Sequence, residues 1–182
     1  MTTEAQAWLL SYGQGQAAIA VPELLEVIRH PVTEPFPALP PWCAGILIWR
    51  DQPIPLVDLR HVLRTAEPCN TVTFSHCALV RYSSGDTSIG FGGILLTQAP
   101  EPIVVTSAEA IAVSDELRGP QGVVLACFGH QNEPVPIIDL DRVFSSRPSE
   151  MSGACQPIFD VRPGSGVSVA TTQPARASRM PI

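Results

Sequence analysis

The chain has 182 residues, 45% of them hydrophobic and 15% charged, with a formal charge of −6. A chain this long buries roughly 70% of its unfolded surface without staples, as one domain or as two small subdomains sharing a core. The acidic balance and scattered arginines exclude a general phosphate-binding surface and hence nucleic-acid binding, and the apolar runs fall far short of the ~20 residues that cross a bilayer.

Met1-Thr2-Thr3-Glu4-Ala5 lacks a basic leader, and no long apolar segment follows, so no signal peptide is expected. Trp8 to Tyr12 and Gln16 to Val21 read as strands around Gly13-Gln14-Gly15, a hairpin signal. Pro22-Glu23 then predicts a short helical turn in which Leu24, Val27 and Ile28 share an inward face. Prolines 31, 35, 37, 40 and 41 make the next segment an extended crossing that delivers Trp42 to a central hairpin.

That hairpin is Gly45 to Leu59. Ile46 to Trp49 is apolar at four consecutive positions, so neither face of the strand is expected to suit water. Arg50-Asp51-Gln52 forms a turn, and Pro53 and Pro55 place the return strand's beginning at an edge or strand start. Asp58 is placed to cap a helical turn at Leu59 to Leu63. Arg64 to Phe74 reads as loop. Strands resume at Cys77 to Tyr82, Thr87 to Phe91, Ile94 to Thr97 and Pro102 to Val105, with Gly90, Gly92 and Gly93 marking a corner. After a polar connection from Ser107 to Gln121, Gly122 to Phe128 and Pro134 to Ile138 form a second central hairpin, and Asp139 starts a last helical turn.

Two blocks recur in order. Gln52 to Leu63 aligns without a gap on Glu133 to Phe144, 81 residues on (58 to 139), and Leu9-Leu10-Ser11-Tyr12 aligns on Leu79-Val80-Arg81-Tyr82, 70 residues on (12 to 82). The pattern is an internal duplication. Short strands, glycine corners and a doubled plan predict an all-β protein of two small barrels. The folded domain is expected over 5–147. From about Ser145 the composition turns to Ser, Pro, Gly and Arg, so residues 148–182 form a tail expected to be disordered, with Pro157-Ile158-Phe159 as its one docking-peptide candidate.

Asp58 and Asp139 could be a catalytic carboxylate pair, but N-cap duty explains both their type and their recurrence. Cys127 and His130 could be a thiol and its base; at i and i+3 on a strand they project to opposite faces, with Gly129 beginning a turn. Five cysteines (Cys43, Cys69, Cys77, Cys127, Cys155) show no paired or zinc-ligand spacing, which suits reduced thiols in a cytoplasmic protein. No Walker or Rossmann glycine pattern is present, so neither a cofactor nor an enzymatic activity is called for. Trp49 and Arg50 at the hairpin tip are the candidates for a binding surface, since Trp and Arg supply much interface energy. The alternative is that Trp49 packs between the barrels and Arg50 is merely solvated.

At Pro41-Trp42-Cys43-Ala44-Gly45, Arg50-Asp51 and Ile54-Pro55-Leu56-Val57-Asp58-Leu59 the chain resembles the CheW-like coupling proteins of bacterial chemotaxis. The weaker half-motif Val135-Pro136-Ile137-Ile138-Asp139-Leu140 closes the resemblance, which runs from about Ala7 to about Phe144. The resemblance implies a pair of five-stranded SH3-like barrels acting as a non-catalytic adaptor. Its expected partners are the cytoplasmic tips of chemoreceptors and the regulatory domain of a histidine kinase. Arg50 then matches the receptor-facing arginine, while Gly45, Trp49 and the Leu24, Glu26, Val27 turn match kinase or receptor contacts. Asp51 replaces the glycine of the family pattern and Ile48 its asparagine, substitutions that suggest a member of a pilus-driven (twitching motility) chemosensory system. A competitor that occupies kinase or receptor without coupling them is the other reading.

Overall fold

A computed structural model describes residues 3–33, 39, 42–64, 72–84, 88–113 and 122–145. The predicted tail over 148–182, most of the proline-rich crossing, and parts of the loop after Arg64 and of the polar connection lie outside the described residues.

Among the described residues eleven strands make two sheets. In chain order they are β1 (Glu4–Ser11), β2 (Gln16–Ala20), β3 (Leu24–Arg29), β4 (Cys43–Trp49), β5 (Gln52–Val57), β6 (His76–Ser84), β7 (Ser88–Leu96), β8 (Glu101–Thr106), β9 (Ala110–Ile111), β10 (Val124–His130) and β11 (Glu133–Ile138). Short helices α1 (Leu59–Val62) and α2 (Leu140–Ser145) follow β5 and β11. The protein is all-β, as expected. One sheet has five strands in the order β3-β6-β7-β5-β4; the other has six, β8-β1-β2-β11-β10-β9, one more than the expected five because a bend splits off the two-residue β9.

The duplication governs this architecture, but the repeat is not the barrel. Pairing β1 with β6, β2 with β7, β4 with β10 and β5 with β11 as counterparts, with β8 in the place of β3, turns one sheet order into the other. Each sheet therefore takes strands from both halves of the chain. The exchange is stitched by two short parallel ladders, Leu56↔Gly93 with Val57↔Ile94 in one sheet and Ile137↔Ala18 in the other. Both ladders begin only past the prolines, since Pro53, Pro55, Pro134 and Pro136 have no N–H to give a neighbour.

Alternation along the strands sorts the apolar residues into three cores. Within the five-stranded sheet, Leu47, Ile54, Leu56, Cys77, Leu79 and Leu95 pack together; within the six-stranded sheet, Ala7, Leu9, Ala18, Phe128 and Val135 do. The opposite faces of the same strands, including Leu10, Ile19, Val57, Val80, Ile94 and Ile138, form the largest core, shared between the sheets.

Pro22-Glu23 does open a turn, a 3-10 turn at Val21–Glu23, but Leu24 to Arg29 is a strand and not a helical face. Glu23 closes the turn by accepting the Ala20 N–H at 2.7 Å; Glu109 repeats this after β8, accepting from Thr106 N at 2.8 Å. Beyond the turn, the antiparallel ladder from Val27↔Ala78 to Arg29↔His76 supplies long-range hydrogen bonds that a local helix pattern cannot match. The predicted glycine corner is also corrected. Gly90, Gly92 and Gly93 lie inside one continuous strand, β7, where a Cβ would collide with the rings of Tyr82 and Phe144 and with Leu56. Gly92 is small so that Phe144, from α2, can lie on the sheet and stack on Tyr82 at 4.7 Å with ring planes 10° apart.

Both aspartates cap their helices. Asp58, buried, accepts the Arg60 N–H at 3.0 Å and pairs with the Arg60 guanidinium at 2.7 Å; Asp139 accepts the Arg142 N–H at 3.1 Å. Their own N–H groups donate to Trp42 and Val123, which stand the same 81 residues apart (42 to 123).

Candidate partner-binding surface

The β4–β5 hairpin turns at Arg50 and Asp51, whose φ angles are 49° and 63°. A two-residue hairpin turn of this hand needs both central residues in the left-handed region, because only that twist matches the flanking strands. Asp51 is among the few non-glycine residues that adopt it without large strain, so it holds the turn in glycine's place. The counterpart turn, Gln131-Asn132, has φ of 51° and 66°. The second hairpin therefore turns there, and Gly129 sits within β10 and does not begin the turn.

Three of the candidate residues meet at the first turn. The half-buried Trp49 lies at the end of β4 with its ring 5.4 Å from that of Phe91, among the residues of the five-stranded sheet's own core. Its packing is thus inside one barrel and not between the two. Its indole N–H donates to Glu26 Oε2 of β3 at 3.1 Å, and the Arg50 guanidinium lies 4.5 Å from its ring centroid. Arg50 is exposed, and among the described residues no carboxylate is paired with it. The cation rests on an aromatic face and stays exposed to solvent.

Three large apolar residues on the two edge strands of the five-stranded sheet are exposed. Ile48 is 54% exposed, Leu25 42% and Val27 37%. The expectation that neither face of Ile46 to Trp49 suits water fails at Ile48, which sits on edge strand β4 one residue from Trp49 and so projects outward. Leu24 is turned away and packs against the shared core. Gly45 is buried at a bulge between Cys43 and Gly45, where it shapes β4 and offers no side chain. Sequence reasoning missed Leu25 and Ile48 as exposed surface, since only the position of β3 and β4 at the two edges of their sheet exposes them.

A concavity of about 530 Å³ lies at the other barrel's hairpin ends, lined among others by Tyr12, Gln16, Gln98, Gln131, Pro134 and Pro136. It gathers carboxamides and prolines and holds no nucleophile with a base. Cys127 and His130 are not brought together: Cys127 is buried, and His130 packs edge-on to Phe128 at 6.4 Å. Burial pushes the Cys127 and Cys43 thiols up and Cys77 to about 12, the reverse of what a nucleophilic thiolate needs. Among the described residues no group of three His, Cys, Asp or Glu could hold a metal ion, and no helix is long and apolar enough to cross a membrane.

These thiols give a direct check. In a Cys69→Ser/Cys155→Ser background, a thiol reagent at pH 8 is expected to label none of Cys43, Cys77 and Cys127 until denaturant is added. Because the folded chain holds the Cys77 proton well past the ordinary value of 9.0, unfolding releases it, and stability should fall as pH rises from about 9 towards 12. Rapid labelling of any of the three in the native chain would contradict the burial.

The family model of the CheW-like domain matches residues 6–92. Over those residues the chain is similar to the CheW-like domain. The match ends inside β7, and the fold carries the likeness further. Scaffolding protein TtCheW from Thermoanaerobacter tengcongensis superposes with a TM-score of 0.65, covering 82% of this chain and 99% of that one at 16% identity. At that identity the likeness concerns the fold. No curated protein matches the chain by sequence.

Proposed function

We propose that this CheW-like chain is a non-catalytic adaptor that holds the cytoplasmic tip of a chemoreceptor beside the regulatory domain of a histidine kinase. The observation that carries the reading is Arg50: an exposed guanidinium, unpaired among the described residues, braced on Trp49 at the tip of a rigid two-residue turn. A cation so held loses little freedom on meeting a carboxylate, and the bidentate geometry selects carboxylates over other acceptors. The acidic groups of a receptor's helical hairpin are its fitting partner. Exposed Leu25, Val27 and Ile48 on the two edge strands suit the kinase domain, because exposed apolar residues at sheet edges are favourable to cover with another barrel. Glu26 and Trp49 support the tip, and Gly45 acts through the shape of β4. Pilus-driven surface motility as the output rests on the Ile48 and Asp51 substitutions and the proline-rich tail sequence alone.

The test is Arg50→Glu. Reversing a charge-assisted contact worth about 1.5–3 kcal/mol is expected to weaken binding to a receptor-tip helical hairpin by about 10- to 100-fold, with the circular dichroism unchanged. Undiminished binding by the variant would remove Arg50 from the receptor contact and with it this reading.

A further inference from the structure

The two sheets close differently. In the six-stranded sheet one continuous segment, Glu101 to Ile111, pairs with β1 through β8, bends at a 3-10 turn, and pairs with β10 through β9. Backbone hydrogen bonds therefore reach both flanks of the closure. In the five-stranded sheet the edges are β3 and β4, and among the described residues no ladder joins them. What spans that seam is a side-chain bond, from Trp49 Nε1 on β4 to Glu26 Oε2 on β3 at 3.1 Å. Below it, Ile28 of β3 and Trp49 pack on the same core as Leu47 and Ile54.

We propose that Glu26 is a positioning residue: its carboxylate bolts the Trp49 indole across the open seam, and the indole in turn fixes the direction of the Arg50 guanidinium. The chain of dependence is geometric. An indole can turn about two side-chain bonds; Phe91 restrains its face at 5.4 Å, and the Glu26 bond fixes the angle at which its edge lies. Arg50 rests on that ring at 4.5 Å, so a ring that swings carries the cation with it. Glu26 is itself exposed. It could be mistaken for a direct partner contact, but one of its oxygens already accepts the indole N–H. The strands differ in sequence position by 23 residues (26 to 49), and the crossing between them runs through a segment rich in proline. The bolt thus ties together two edge strands that are distant in sequence.

The consequence for binding rests on the adaptor reading above; the positioning does not. In the full chain, Glu26→Gln keeps an oxygen acceptor for the indole and removes the charge, whereas Glu26→Ala removes both. Two NMR signals report the bolt without any partner: the Trp49 indole N–H resonance with its exchange rate, and the upfield ring-current shift of the Arg50 δ protons above the indole. Both are expected to survive in Glu26→Gln and to collapse in Glu26→Ala. Against a receptor-tip helical hairpin, Glu26→Gln should bind within about twofold of the parent and Glu26→Ala about fivefold more weakly. On an Arg50→Ala background, Glu26→Ala should cost nothing further. Unchanged indole and Arg50 signals in Glu26→Ala would overturn the proposal. So would equal weakening by Glu26→Gln and Glu26→Ala, which would make the charge itself the contact. If Arg50→Ala binds as well as the parent, the adaptor reading of Arg50 falls, while the NMR signals still decide the bolt.

Discussion

Cut between Arg64 and Val72, the chain is expected to give two fragments that remain unfolded apart and assemble into the native fold when mixed. The first fragment keeps the β1–β2 and β4–β5 hairpins, but each hairpin is completed by strands of the second. β1 needs β8 and β2 needs β11, while β3 needs β6 and β5 needs β7. A lone two-stranded hairpin is marginal in water, and the largest core draws residues from both fragments, so neither can bury enough surface to offset its ordering entropy. Mixing restores every pairing at the cost of bringing two chains together, so refolding should depend on concentration. Circular dichroism of each fragment and of the mixture measures this directly. A fragment of residues 1–64 with dispersed amide resonances on its own would mean that the repeat folds as a unit and that the strand exchange is wrong.

The second large effect is expected at Gly92. Valine there would drive its Cβ into the Phe144 ring and push that ring off Tyr82, undocking α2 from β6, where Asp141 also accepts the Ser83 N–H at 2.6 Å. Phe-to-Ala changes in cores cost about 3–5 kcal/mol, and a stacked aromatic pair adds about 0.5–1.5 kcal/mol to the loss. Because Phe144 is only partly buried, about 3 kcal/mol is expected for Gly92→Val and for Phe144→Ala alike. Both substitutions remove the same stack, so the double variant should lose far less than the sum. Denaturant unfolding of the three variants gives the comparison. A Gly92→Val chain as stable as the parent would show that the ring finds another seat.

Much of this was legible in the residues. Both hairpins of the duplication, the capping aspartates and the all-β class follow from local rules: alternation, proline without an N–H, and a short acid before a helical turn. The Trp49–Arg50 tip was legible for the same reason, since a polar pair closing an apolar strand marks a turn. Leu24 to Arg29 was not, because Leu24, Val27 and Ile28 fit a helical face as well as a strand and the neighbour that decides, β6, lies some fifty residues on. The glycines of β7 misled for a related reason. Their missing side chains answer to Tyr82 and Phe144, and nothing nearby in the chain announces those rings.

The sequence by itself determined which stretches extend, where they turn, which residues cap the helices, and that one plan is written twice. Only the tertiary structure decided which strands pair, that the two copies trade strands, and that Glu26 reaches Trp49 across an open seam. The division has one physical cause. Propensity, alternation and capping act within a few residues. A sheet ladder and a shared core are instead chosen by the burial of surfaces that the chain brings together only when all of it has folded.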